Sequence, residues 1–121
     1  MASIASLHNR RVFSGAIDWD AVASLYDRLL PRRPVTGVAV ARAAAHLAAG
    51  HVQVAHEALG AIDEGLAQRY QPFWTVRADV ALARGDVDVV EPARRRALDL
   101  TVDPAVRGHL ERRWSAVRPP A

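Results

Sequence analysis

Residues 42–62 read RAAAHLAAGHVQVAHEALGAI, and residues 77–97 read RADVALARGDVDVVEPARRRA. Slid by 35 positions, the two segments share eight of 21 residues. Arg42 falls on Arg77, Ala43 on Ala78, Leu47 on Leu82 and Ala48 on Ala83. Gly50 falls on Gly85, Val52 on Val87, Val54 on Val89 and Ala58 on Ala93. A self-match near 34 residues is the period of two-helix tetratricopeptide units. An alanine-rich chain matches itself at some positions by composition alone, but glycine is a poor helix former, so the glycine matches do not follow from helix propensity. Each element has a physical use. Ala43 and Ala78 let paired helices approach closely, Gly50 and Gly85 turn the chain between them, and Ala58 and Ala93 allow close packing in the second helix.

Helical spacing extends outward from these units. Asp18 is placed to cap a first helix at about 19–30, with Trp19, Val22, Tyr26 and Leu29 or Leu30 as its apolar stripe. Pro31 and Pro34 end it. The second helix is expected at 35–49, closed by Gly50 as a left-handed C-terminal residue, and the third at 52–64, closed by Gly65. The fourth spans 72–84 to Gly85, the fifth 89–100, and the sixth 104–117, with Asp103 as cap and Pro104 at the first helical position. Pro92 requires the fifth helix either to start near Glu91 or to bend there. Its last turns, Arg94 to Leu100, should turn alanine and leucine inward and the arginines mostly outward. Pro119 and Pro120 end the fold. Period-two alternation is confined to Val87-Asp88-Val89. The expected fold is all-α: one domain over 1–121, in which tetratricopeptide-like antiparallel helix pairs make a short right-handed solenoid of about six helices. Repeat-like units lie at about 36–65 and 71–104, preceded by the 19–30 helix and followed by a capping helix at 104–117.

The 121 residues contain no cysteine, which excludes disulfides and cysteine-based metal or iron–sulfur sites. The richest apolar run, 38–49, contains Arg42 and His46 and falls short of the roughly 18 residues a membrane span needs. Arg10 and Arg11 follow a mild apolar start, the wrong order for a secretory signal, so a cytoplasmic location is expected. All 16 basic residues are arginine, each a rigid donor fork suited to carboxylates and phosphates. The net charge of +3 says little about nucleic acid. Charge is nonetheless uneven: residues 60–91 carry six acids and three arginines, and residues 94–118 carry seven arginines and three acids. Such a chain either stacks opposite charges on itself or on a partner, or simply presents a solvated surface.

The motifs Asp18-Trp19, Leu25-Tyr26-Asp27 and Pro34-Val35 stand in order before Tyr70, Arg77-Ala78-Asp79 and Gly85. Arg95-Arg96-Ala97-Leu98 follows, then Pro104-Ala105, Arg107 and Leu110-Glu111-Arg112-Arg113. In this order and spacing the chain, from about Ile4 to Val117, resembles the C-terminal tetratricopeptide-like extension of extracytoplasmic-function RNA polymerase sigma factors. The resemblance implies a helical module with a transcription-related protein partner. The promoter-reading sigma domains are not in the sequence, so promoter recognition is not expected. Two departures stand out: Ala39-Val40 replaces the family's Asn-Arg pair, and Gln71-Pro72-Phe73-Trp74 replaces a His-containing segment. Both exchange polar groups for apolar ones, which implies a more apolar contact than the family's.

His46, His51 and His56 recur every five residues, a spacing that does not stack on one helix face, and Gly50 interrupts the helix. They are expected as packed or surface histidines, with no metal and no cofactor. Tyr26, Tyr70, Trp74 and His46 are candidates to line one hollow. Asp79, in an apolar helix, should pair with an arginine, because an unpaired buried charge is costly. Arg42 and Arg77, repeated at one place in both units, either make such pairings or grip a partner's carboxylate. Phe73 and Trp74, adjacent on a helix, point about 100° apart, so one fills the core while the other lines a groove. Trp19 and Trp114 are expected to cap the two ends.

The expected partner-binding residues are therefore Arg42, Tyr70, Phe73, Trp74, Arg77 and Asp79. They belong to a protein-interaction or regulatory module that takes a protein or peptide, with no catalytic set. Interfaces draw much of their energy from aromatic and arginine anchors. A small-molecule binder or enzyme using an apolar inter-helix pocket is the alternative. Nucleic-acid binding through Arg94 to Arg96, Arg107, Arg112, Arg113 and Arg118 is disfavoured by the low net charge. Homo-oligomerisation is open, because terminal repeat faces are sticky unless capped.

Overall fold

The two matched glycines end their helices with the same pair of bonds. Gly50 N–H donates to Leu47 C=O at 3.0 Å and His51 N–H to His46 C=O at 2.8 Å; 35 residues on, Gly85 donates to Leu82 at 3.2 Å and Asp86 to Ala81 at 2.9 Å. Both are Schellman closures, which need a left-handed residue after the helix. Gly50 has φ +89° and Gly85 φ +79°.

A computed structural model describes residues 17–116. The expected proline stop at Pro119-Pro120, the Val117 end of the last helix, Arg118, the Arg10-Arg11 pair and the Ile4 start of the resemblance lie outside the described residues. Those described are all-α: α1 Trp19–Leu29, α2 Thr36–Ala48, α3 Val52–Gly60, α4 Glu64–Ala67, α5 Gln71–Arg84, α6 Val87–Leu100 and α7 Pro104–Ala116. Asp18 caps α1 by accepting from Ala21 N–H at 3.2 Å, and Asp103 caps α7 by accepting from Ala105 N–H at 2.8 Å.

Two expected boundaries move. The 52–64 helix stops at Gly60, and Asp63 then starts the separate turn α4, its carboxylate accepting from Gly65 N–H at 2.8 Å. Gly65 is thus inside a helical turn and not a terminator. The fifth helix starts at Val87, earlier than expected, with Pro92 inside it. The N–H that proline lacks would have bonded Asp88 C=O; Asp88 and Pro92 are both exposed, so that carbonyl is open to solvent.

Helix pairing follows the alanines. Ala43 (0% exposed) of α2 meets Ala58 of α3 in one cluster with Val40, Leu59, Phe73 and Val80. Their repeat equivalents, Ala78 of α5 and Ala93 of α6 (each 1% exposed), meet in a second cluster with Leu110 and Trp114 of α7. Methyl side chains at such crossings bring the helix axes close and leave no cavity to fill. Trp74 packs against both clusters and joins them. Trp114 closes the second cluster at 6% exposure, whereas Trp19 is 37% exposed and Ala23 is the buried residue of α1, so Trp19 does not act as the expected cap. Arg94 also departs from expectation: it is buried, its guanidinium 5.5 Å from the Trp114 ring. No helix among the described residues is long and apolar enough to cross a membrane.

Candidate functional site

Between the two helix pairs lies a cleft of about 300 Å³. Phe73, Arg77, Val80 and Ala81 line it from α5, at positions that share one helix face. His56 and Leu59 line it from α3, Ile62 from the α3–α4 connection, Glu64 from the start of α4, and Asp86 and Val89 from the start of α6. Leu59, Ile62, Phe73, Val80 and Val89 make an apolar floor. The rim is charged and internally paired. Arg77 donates to Glu64 at 3.0 Å, and Arg84 donates to Asp86 at 2.9 Å and to Gln53 at 2.8 Å. A half-exposed Arg77–Glu64 pair of this kind holds weakly in water and can exchange for a ligand's charge.

The six residues expected at a binding surface separate into distinct places. Phe73 and Arg77 are in the cleft. Trp74 points elsewhere: its indole N–H donates to Ala67 C=O at 3.1 Å and approaches Gln68 C=O at 3.3 Å. Its ring lies 5.5 Å from the Arg77 guanidinium and 5.9 Å from that of Arg96, and meets Phe73 edge-on at 5.0 Å. Trp74 therefore ties α4 to the core. Phe73, 1% exposed, fills that core as one of the two adjacent aromatics was expected to. Tyr70 leans on α2, its hydroxyl 3.3 Å from where a Cβ on Gly37 would sit. Asp79 is on a different side of α5, accepting from Arg113 at 2.5 Å and from the Trp114 indole at 3.2 Å. Arg42 donates to Asp27 of α1 at 2.7 Å. Both repeated arginines, Arg42 and Arg77, thus hold a carboxylate of the preceding helix.

Tyr26, Tyr70, Trp74 and His46, expected to line one hollow, make different contacts in the fold. Tyr26 borders a groove of about 540 Å³ on α1 with Val22, Leu25, Arg28, Leu29 and Arg32. His46 is buried in a polar network instead. Its Nε2 is 2.8 Å from Asp27 Oδ1 and its Nδ1 is 3.0 Å from His51 Nδ1, with the two rings 5.2 Å apart. Five-residue spacing seemed to part these histidines, but the reversal at Gly50 folds His51 back onto the last turn of α2. His46 is bonded at both ring nitrogens. Burial by itself would raise the Asp27 carboxyl, but hydrogen bonds from Arg42 and His46, with their charges, outweigh it and hold Asp27 below its ordinary value of 3.8.

Sequence reasoning missed His56, Glu64, Asp86 and Val89 at the cleft, and Asp20, Asp27 and His51 in the network. One signal was present: Asp20 and Asp27 are seven apart, on one face of α1. Among the described residues no group of three or more His, Asp or Glu side chains is placed to hold a metal ion. No protein-family model, no characterised protein and no solved structure matches the chain.

Proposed function

We propose that the chain is a tetratricopeptide-like protein-interaction module that seats apolar side chains of a partner segment in the cleft between its helix pairs. The cleft itself carries the reading: an apolar floor at helical spacing on α5, flanked by α3 and α6, with rim charges of both signs. A helical or extended peptide presenting two apolar side chains and one charge fits such a surface. The resemblance of the motifs from Asp18-Trp19 to Leu110-Glu111-Arg112-Arg113 to a sigma-factor C-terminal extension supports a transcription-related partner in the cytoplasm. Non-catalytic action is part of the proposal.

Peptides selected from a random library on the full chain supply the test. On titration they should shift backbone amide resonances of Leu59, Ile62, Val80 and Val89, and leave α7 unmoved. Recovery of no peptide, or shifts confined to other faces, overturns the placement. A second reading has one observation in its favour: about 300 Å³ is the lower end of small-molecule sites. Apolar fragments of drug size that shift the same amides more tightly than any peptide would favour it.

A further inference from the structure

Four side chains from two helices and a turn stand in one line. Asp27 and Asp20 of α1 form its ends, 2.8 Å from His46 Nε2 and 3.1 Å from His51 Nε2 respectively; the two Nδ1 atoms face each other at 3.0 Å in the middle. Counting hydrogens decides what this line holds. Each Nε2 facing a carboxylate oxygen needs a hydrogen, and the central contact needs one hydrogen between two nitrogens. That makes three, whereas two neutral imidazoles carry only two. With two, one imidazole lone pair must face either a carboxylate or the other ring's lone pair. With four, two N–H groups meet head-on at 3.0 Å. Three hydrogens give the imidazole pair one positive charge, and with Asp20, Asp27 and Arg42 ionised the network is electrically neutral.

We infer that His46 and His51 form a binding site for one shared proton, which latches α1 onto the first helix pair. Ala23 is the buried residue of α1, and the line and the Arg42–Asp27 pair add polar contacts that join this helix to the first helix pair. The charged groups facing the two rings are Asp20 and Asp27 from α1 and Arg42 from α2. Among the described residues no charged side chain of α3 or α5 bonds either ring: Glu57 is bonded to Gln53, and Arg84 to Asp86 and Gln53.

The latch operates over the pH range in which the pair holds its one shared proton. Above it the shared proton leaves and His51 turns a lone pair toward Asp20. Below it a fourth hydrogen forces the two Nδ1–H groups together. The unfolded chain meets neither penalty, so stability falls on both sides of a maximum.

The test is the side-chain nitrogen spectrum of the full chain across this range, with thermal midpoints in parallel. The two rings should take up protons in two separate macroscopic steps, about one pH unit or more apart, with the midpoint highest between them. Asp20→Asn is the informative variant, because Asp20 is exposed and its amide can donate to His51 Nε2, so two hydrogens suffice. Its shared proton should bind up to about fivefold more weakly, the scale of an exposed ion pair, and move the upper step to lower pH. Asp88→Asn, an exposed carboxylate on α6, should leave that step in place. Simultaneous, independent titration of the two rings overturns the inference. So does an upper step that Asp20→Asn leaves unmoved, or that Asp88→Asn moves equally.

Discussion

At Gly50 and Gly85 nothing lies within 4 Å of where a Cβ would sit, so space does not select glycine. The positive φ does, because a side chain there meets its own backbone at about 1–2 kcal/mol. That cost is a property of one residue, and it was readable from the sequence at both positions. The caps at Asp18 and Asp103 were readable for the same reason, since their bonds reach two or three residues along the chain. Asp27 was not. Its surroundings come from Arg42 and His46, 15 and 19 residues away. Because its carboxyl is held below 3.8 in the folded chain, it contributes stability that is present above that pH and is lost as pH falls through the folded value. Acid titration of Asp27→Asn should show a weaker loss of stability below pH 3.8 than the parent chain does, read from the denaturation midpoint at each pH.

The helices themselves follow from periodicity, but their limits depend on neighbours. The helix expected over 52–64 stops at Gly60; Asp63 caps a separate α4, and Ala67 (0% exposed) docks there with its carbonyl accepting from the Trp74 N–H. In α6, local rules ask Pro92 either to follow a helix start near Glu91 or to bend the helix there. Burial of Val90 against the neighbouring helices holds the first turn helical despite the missing bond. Since Pro92 is exposed and sits in helical conformation, Pro92→Ala restores one hydrogen bond and removes a ring clash, while giving the unfolded chain more freedom. The net expectation is a gain of about 1–2 kcal/mol in chemical denaturation. A loss of stability would mean that the proline is required where it stands.

Across the whole molecule, the uneven charge of the sequence resolves into pairing within the chain. Asp79 of the acid-rich half holds Arg113 and Trp114 of the arginine-rich half and so docks α7 on α5. Arg96 donates to Gln68 C=O at 2.7 Å and Arg107 to Leu98 C=O at 2.6 Å, which engages further arginines of that half inside the fold. Asp79→Ala leaves the buried Trp114 N–H without its acceptor and the Arg113 guanidinium without its carboxylate. It should cost about 1–3 kcal/mol. Hydrogen exchange should rise selectively in α7, with α2 and α3 protected as before; uniform loss of protection would mean that α7 does not dock independently.

From the chain alone came the all-helical character, the 35-residue repeat, both glycine turns, both aspartate caps and the alanine contacts of each helix pair. All of these rest on interactions within one helical turn or on a pattern repeated along the chain. Where Trp74 points, which carboxylate each repeated arginine holds and where the cleft opens were settled by the packing of one helix on the next. That packing brings together residues 13 to 35 apart, and the angle at which alanine-faced helices cross is a property of two surfaces in contact, written in neither one separately.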